Sequence, residues 1–277
     1  MVDLFIKHVL GVGLDRLGIY GDTAGYYGTV EQQGRLTLHL HMLVWIKCAL
    51  TPQEVRDRIM DPESDFQQKM VEYLESVHKG EFLDGDMESV ASRIASRKAK
   101  DPFRVPPTET LPKIPPKKCD HEESPDCPKC ETYREWWTKY IEEVDEILYL
   151  SNVHKCTTRS KNSKTPKGAQ NSGMQESDNR GCTDPITKLC KARFPRDTFK
   201  ETAVDPESGA LIMKKGEAWL NTFTPVVSYL LRCNHDVTSL MSGTAIKSVI
   251  AYVADYITKT PLKTHVMFQS VQKVFER

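Results

Sequence analysis

The sequence lacks any long hydrophobic run. None of its apolar stretches approaches the ~18 to 20 residues that a membrane-spanning helix needs, and residues 1–13 carry charged side chains without the layout of a signal peptide. We therefore expect a soluble intracellular protein. In that setting its eight cysteines favour zinc or thiolate chemistry over disulfides. A chain of 277 residues is also long enough to bury a core without covalent staples.

The chain also lacks net charge, since 38 basic residues balance 38 acidic ones. The charges are nevertheless segregated, because residues 61–90 and 119–150 are strongly acidic and residues 151–200 are strongly basic. A localised basic face is what a search for nucleic acid requires, and an acidic face elsewhere limits indiscriminate binding to phosphate. Scattered solvated charge is the alternative interpretation.

The middle of the chain separates two helical regions. Thr51-Pro52-Gln53-Glu54 has the pattern of a capped helix start and predicts polar helices over 51–100. Residues 101–118 contain six prolines and little apolar content, which predicts a linker or an extended crossing. Apolar and aromatic residues at 3 and 4 spacing then predict a strongly amphipathic helix over 131–150, with its aromatic stripe in a core.

Two further segments have distinct compositions. Residues 157–181 are rich in Ser, Asn, Lys, Gly and Gln, so they cannot bury enough surface to stay ordered, and we expect a mobile basic loop. An apolar stripe over 242–260, ended by Thr260-Pro261, predicts another helix.

A β-hairpin is predicted from residues 26–33 and 36–46. The second strand alternates, with apolar side chains on one face and Thr37, His39 and His41 on the other. A three-residue loop, Gly34-Arg35-Leu36, would place Glu31 opposite His39, Thr29 opposite His41 and Gln33 opposite Thr37, all on one sheet face. A two-residue loop would move Glu31 to the other face.

The two histidines of this strand predict a metal site. Imidazoles two residues apart on one strand face can converge on a single divalent cation, and Glu31 or Gln33 on the adjoining strand can add an oxygen ligand. Such a set leaves coordination positions open and suits Mg²⁺ or Mn²⁺ acting on a phosphate better than a closed zinc site. We therefore predict His39 and His41, with Glu31 or Gln33, as ligands of a catalytic cation.

The predicted C-terminal helix carries a second set of reactive groups. At 100° per residue Tyr252, Tyr256 and Lys259 form one stripe, opposite the apolar stripe of the same helix. A phenol is only about 0.1% ionised at neutral pH, so attack on phosphorus needs a polarising cation and a nearby positive charge. The metal and Lys259 fit those roles. We predict the tyrosines as nucleophiles that leave a 5′-phosphotyrosine and a free 3′-hydroxyl.

The segment from Tyr27 to Trp45, which contains Val-Glu-Gln-Gln-Gly-Arg and His-Leu-His, resembles the H-U-H segment of the Helitron transposon replication-initiator (Rep) domain. Cys190-Lys-Ala-Arg-Phe-Pro-Arg, Arg232-Cys-Asn-His-Asp and the run from Tyr252 to Lys259 resemble three later segments of that family, in the same order. The resemblance implies an HUH-class single-strand endonuclease of rolling-circle transposition, acting in the nucleus on single-stranded DNA at transposon ends. It also implies a C-terminal helicase. Since no G-x-x-x-x-G-K-[ST] motif is present, we expect a fragment of a longer Rep-helicase protein.

Cysteines and histidines in the middle of the chain predict structural zinc. A C-x-x-C pair before a helix, Cys127 and Cys130, is half of a tetrahedral site. Either one site uses that pair with His154 and Cys156, or there are two sites. In the two-site case Cys119 and His121 join Cys127 and Cys130 in the first site. Cys182 and Cys190 join His154 and Cys156 in the second. Cys48 and Cys233 lie in apolar contexts and are expected to be buried thiols.

These predictions combine into an α+β fold. The resemblance implies an antiparallel, ferredoxin-like HUH-endonuclease sheet that carries the H-U-H strand centrally with flanking helices, in residues 1–100 and 201–277, and we expect a zinc-binding insertion at 101–200. The predicted function is metal-dependent nicking and strand transfer of single-stranded DNA. One alternative is a catalytically inactive transposon remnant that serves as a zinc-structured DNA-binding module. A weaker alternative is a metal-dependent phosphodiesterase that uses water and leaves the paired tyrosines unexplained.

Overall fold

The computed structural model describes residues 1–32, 38–61, 63–156, 182–184, 186–205, 207, 209–241, 247 and 251. These residues contain six α-helices and two antiparallel two-stranded sheets, which confirms the α+β class. The chain divides into two compact units, Met1–Asp61 with Leu240–Arg277, and Pro62–Ser239. Within the described ranges every helix is too short or too polar to span a bilayer.

The first unit is built around a hairpin. Helix α1 (Val2–Leu4) and a π-helical turn (Phe5–Val9) precede strands β1 (Thr23–Gln32) and β2 (Leu38–Ile46), and α2 (Pro52–Ile59) follows. The strands pair antiparallel with a bulge near Gly25. Among the described residues β2 pairs with β1 alone, so the expected central position of this strand in a larger sheet is not met there.

The start of α2 confirms the capping pattern that the sequence predicted. The Thr51 hydroxyl accepts a hydrogen bond from the Glu54 amide at 3.2 Å, and the Glu54 carboxylate accepts one from the Thr51 amide at 2.8 Å. Two amides that the first helical turn would otherwise leave unpaired are thereby satisfied.

The second unit is mainly helical. Its elements are α3 (Phe66–Val77), α4 (Met87–Lys100), a 3₁₀ turn (Pro107–Glu109), α5 (Pro128–Ile147), a π-helical turn (Leu148–Asn152), β3 (Ala203–Val204), β4 (Leu211–Ile212) and α6 (Pro225–Leu231). Helix α5 and its π-helical turn correspond to the predicted helix over 131–150. The expected packing of the aromatic stripe is met in part. Tyr140 is buried against Tyr229 of α6 and Trp136 packs against the core, whereas Trp137 is 41% exposed.

The core of this unit crosses the predicted domain divisions near residues 100 and 200. Its fully buried members come from distant parts of the chain and include Val144, Leu148, Leu220 and Phe223. Because residues of α4, α5 and the segment around α6 share this core, the predicted insertion 101–200 does not stand apart from its flanking segments.

Two buried acids of α5 tie the surrounding segments together. The Asp145 carboxylate accepts hydrogen bonds from the amides of Leu83 and Asp84, at 2.7 and 3.0 Å, and pairs with Arg93 of α4. Glu146 pairs with Arg97 of α4, and with Arg104 after α4 through two parallel hydrogen bonds. Buried carboxylates are tolerated when they are paired and hydrogen-bonded in this way.

Two predicted segments lie outside the described residues. They are the basic loop at 157–181 and, apart from Lys247 and Ala251, the helix over 242–260.

Candidate functional site

Four ligand-type side chains meet at the start of α5. Their ligand atoms all lie within 4.8 Å of one another, and the cluster consists of Cys119, His121, Cys127 and Cys130. The Sγ atom of Cys119 is 3.7 Å from that of Cys127 and 3.6 Å from that of Cys130. Two sulfurs that are each about 2.3 Å from a tetrahedral zinc are about 3.8 Å apart. The spacing of these thiols therefore fits zinc.

Local structure explains why these side chains converge. Cys127 is the N-cap of α5, Pro128 occupies its first turn, and Cys130 lies one turn into the helix, so both thiols face the same end of it. His121 Nδ1 donates a hydrogen bond to the Glu122 carbonyl at 2.6 Å, which leaves Nε2 available as a ligand. A carbonyl partner on the second ring nitrogen is the usual arrangement of a metal-binding histidine.

Two thiols of the first cluster have their pKa values shifted in opposite directions. An amide hydrogen bond from Cys130 is the main cause that lowers the pKa of the Cys127 thiol to about 6, because it stabilises the thiolate. Burial, followed by hydrogen bonds to the other two thiols, raises the pKa of Cys119 to about 11. Since zinc binds thiolates, loading this cluster must release protons.

A second group of four lies just beyond the other end of α5. It consists of His154, Cys156, Cys182 and Cys190, whose ligand atoms again lie within 4.8 Å of one another. Cys190 Sγ is 3.2 Å from His154 Nε2. Desolvation is the main cause that raises the pKa of Cys156 to about 11. The three sulfurs and one imidazole form a ligand set that is common in structural zinc sites.

The second cluster is supported by a tight turn and by ring stacking. Thr183 bridges to Cys190, and the Lys191 amide donates to the Cys182 carbonyl at 2.7 Å, which brings the two cysteines together. The His154 ring stacks on Phe194 with 4.3 Å between centroids. Sequence reasoning did not assign Phe194 a role, although its position in the Cys-Lys-Ala-Arg-Phe-Pro-Arg segment offered a signal.

These positions decide between the two predicted pairings. The observed grouping is the two-site alternative, and the single site built from Cys127, Cys130, His154 and Cys156 is not the one that forms. The expectation of buried thiols at Cys48 and Cys233 is wrong, because both residues are exposed. Cys48 itself and the residue before Cys233 adopt left-handed backbone angles, φ 56° and 53°, where the chain leaves β2 and α6.

The histidine strand forms a third candidate site, in the first unit. The register places Glu31 opposite His39 and Thr29 opposite His41, which confirms the predicted pairing. His41 Nε2 lies 3.5 Å from Glu31 Oε2, and the two imidazole centroids are 5.7 Å apart. Gln33, the other predicted oxygen ligand, lies outside the described residues.

Two oxygen atoms on this face have no hydrogen-bond partner among the described residues. They are Glu31 Oε2 and Thr29 Oγ1, and both are buried. Two ligands that are each about 2.1 Å from one cation are about 3 to 3.5 Å apart, so the separation of Glu31 and His41 fits a shared cation. Thr29 was not among the predicted ligands. Its period-two spacing from Glu31 was the available signal.

The side chains that were predicted to act as nucleophiles lie outside the described residues. They are Tyr252 and Tyr256, together with the assisting Lys259.

No protein-family model matches this chain, and neither a curated protein nor a solved structure matches it.

Proposed function

We propose that this chain is a Helitron-like Rep endonuclease that nicks single-stranded DNA and transfers the cut strand. One observation carries the proposal, the hairpin register that aligns Glu31, His39 and His41 on one sheet face. A strand with two histidines needs a common reason for both, and the acid opposite supplies the oxygen ligand that a catalytic divalent cation prefers. The resemblance of the surrounding motifs to the Rep family agrees with this reading.

The three side chains would hold Mg²⁺ or Mn²⁺. The buried Glu31 Oε2, which accepts no hydrogen bond among the described residues, and its 3.5 Å approach to His41 Nε2 support this assignment. The bound cation supplies Lewis-acid polarisation of a phosphodiester. The His41 side chain is 18% exposed and that of Glu31 is 39% exposed, so a cation held between them would be accessible to a phosphate.

The chemical step uses the phenols of Tyr252 and Tyr256. The oxygen of one phenol loses its proton and bonds to phosphorus, and the bond from phosphorus to the 3′ oxygen breaks. The leaving oxygen takes a proton and becomes a free 3′-hydroxyl, while the 5′-phosphate stays on the tyrosine. Lys259 offsets the negative charge that develops. Because the covalent link preserves the bond energy, the strand can later be joined without ATP.

The two Cys/His clusters would serve this enzyme as structure. They flank α5, the longest described helix, and zinc bound there would fix both of its ends. The remaining parts of the proposal follow the resembling family: single-stranded transposon ends as substrate, a nuclear location and a helicase domain in the full-length protein.

The test is a covalent-adduct assay. The chain is incubated with Mn²⁺ and a labelled single-stranded oligonucleotide, and a protein-DNA adduct that survives denaturation is expected. His41→Ala should reduce the adduct by about 100-fold, the range that losing a catalytic electrostatic group costs. His8→Ala is the matched control, because His8 is an exposed histidine outside the two hairpin strands, and it should leave adduct formation unchanged. Equal activity of the His41 and His8 variants would contradict the metal assignment.

Paired tyrosine variants identify the nucleophile. Phe keeps the ring and removes only the hydroxyl, so a lost adduct at Tyr252→Phe or Tyr256→Phe reports on chemistry rather than on packing. If the double variant cleaves as fast as the parent, a water nucleophile replaces the tyrosines and the chain is a metal-dependent phosphodiesterase.

A second candidate function is favoured by the zinc clusters. The chain can serve as a DNA-binding module without activity, whose fold is stabilised by zinc. Both four-ligand clusters lie in the second unit, where bound zinc would contribute to folding and would need no catalytic step. In that case salt-dependent binding of single-stranded DNA persists while no adduct forms with any divalent metal.

A further inference from the structure

The proline-rich segment at 111–118 exposes apolar side chains. Its sequence is Leu-Pro-Lys-Ile-Pro-Pro-Lys-Lys. Leu111 is 88% exposed and Ile114 is 89% exposed. Neighbouring exposed apolar side chains rimmed by charged ones are a common feature of interaction sites.

The prolines constrain the backbone of this segment. It forms neither helix nor strand. Three prolines fix their own φ near −65° and push the residues before them into the extended region. These constraints favour a left-handed polyproline helix, which has three residues per turn. In that conformation residues 111, 114 and 117 would share one edge and residues 113, 116 and 119 another.

The second edge is the one attached to the protein. The Lys113 amide donates a hydrogen bond to Tyr229 Oη at 3.0 Å, and the same hydroxyl donates to the Lys113 carbonyl at 2.9 Å. Pro116 is half-buried, as is Pro112, and Cys119 belongs to the first cluster. Leu111, Ile114 and Lys117 are all exposed, so the edge that carries them is turned outward.

We propose that residues 111–117 are a preformed ligand for a proline-binding domain of the SH3 type, with an aromatic-lined groove and an acidic pocket at its end. Such domains read P-x-x-P segments, and here Pro112 and Pro115 have that spacing. Each of these prolines follows an exposed apolar residue. The pairs Leu111-Pro112 and Ile114-Pro115 would occupy the groove. Lys117 follows at the position that meets an acidic pocket.

Charge and preorganisation both agree with this partner. Residues 111–118 hold three lysines and no acid, which complements a groove with an acidic rim. The tether from Tyr229 and the prolines hold the ligand extended before it binds, so little conformational entropy is lost on docking. The residue that the tether holds, Lys113, is one whose side chain a P-x-x-P groove does not read.

The test is isothermal titration of the zinc-loaded full chain with a purified SH3 domain that prefers P-x-x-P-x-K ligands. Pro115→Ala should weaken binding by about tenfold or more, because that ring enters the groove, whereas Pro116→Ala on the tethered edge should stay within about twofold. Lys117→Glu should also weaken binding by about tenfold. Zinc content is measured for each variant, so a folding defect is recognised by metal loss.

Three outcomes would overturn the proposal. They are the absence of binding by the parent chain at millimolar domain, an equal effect of the two proline substitutions, and self-association of the parent that Ile114→Asp abolishes. The last result would mean that a second copy of the chain covers the outward edge.

Discussion

Removing zinc should destabilise the second unit by an amount set by its two clusters. Both clusters lie in the same compact unit and flank the same helix, so both should contribute to one unfolding transition. With free zinc held about 100-fold above the Kd of each cluster, linkage stabilises the folded state by about 2.7 kcal/mol per ion. Chelation of both ions should therefore lower the Tm by about 10–20 °C for a unit of this size.

A single substitution should remove half of this effect. Cys130→Ser deletes a buried thiol of the first cluster and should cost one zinc ion and about 5–10 °C in Tm. The second cluster keeps all four of its ligands in that variant. Cys48→Ser is the matched control, because that thiol is exposed and belongs to neither cluster, and it should change neither zinc content nor Tm.

The assay combines elemental analysis of the purified chain with thermal unfolding at buffered free zinc. Two ions per chain are expected in the parent and one in Cys130→Ser. A parent that holds a single ion, or a variant that loses both, would refute the assignment of two independent clusters.

Two other predictions concern the stability of the second unit and one concerns that of the first. Burial raises the pKa of Asp145 to about 6 from its ordinary value of 3.8, so the folded state keeps this proton to higher pH than the unfolded state does. The free energy of unfolding should consequently fall by about 2–3 kcal/mol between pH 4 and 6, and urea titrations should show that this slope is missing in Asp145→Asn. Phe223→Ala empties a site with no exposed surface and should cost about 3–5 kcal/mol by the same titrations, whereas a cost below 1 kcal/mol would contradict the position of the core. Thr51→Ala removes a capping hydroxyl and should cost about 1 kcal/mol in the unfolding of the first unit, with recovery in Thr51→Ser.

The predictions that the structure confirms rest on short-range rules. Side-chain alternation and one assumed loop length gave the register of Glu31 and His39, because a slip by one residue would exchange the two sheet faces. The capping box at Thr51 depends on four consecutive residues. In such cases the residues that decide the structure are close together in the sequence.

The features that the sequence left open depend on distant residues. Spacing alone allowed two groupings of the zinc ligands, because Cys190 meets His154 from 36 residues further along the chain and a turn then brings Cys182 to Cys190. The pairing of Glu146 with Arg104 was not predicted either, since an ion pair leaves no periodic signal in a sequence where charges are abundant. Cys48 is exposed and has a left-handed backbone angle where the chain leaves β2, and its apolar neighbours in the sequence reveal neither feature.

The order in which the clusters' ligands are synthesised implies that zinc is acquired in two stages. The first cluster draws all its ligands from residues 119–130, so it can close as soon as that short stretch has left the ribosome. The second cluster must wait for Cys190, about 60 residues later, which is about 3–12 s at ordinary rates of translation. During that interval one end of α5 would already be fixed by metal while the other was still open. The zinc-bound first cluster would thus be folded before the rest of the second unit packs against it.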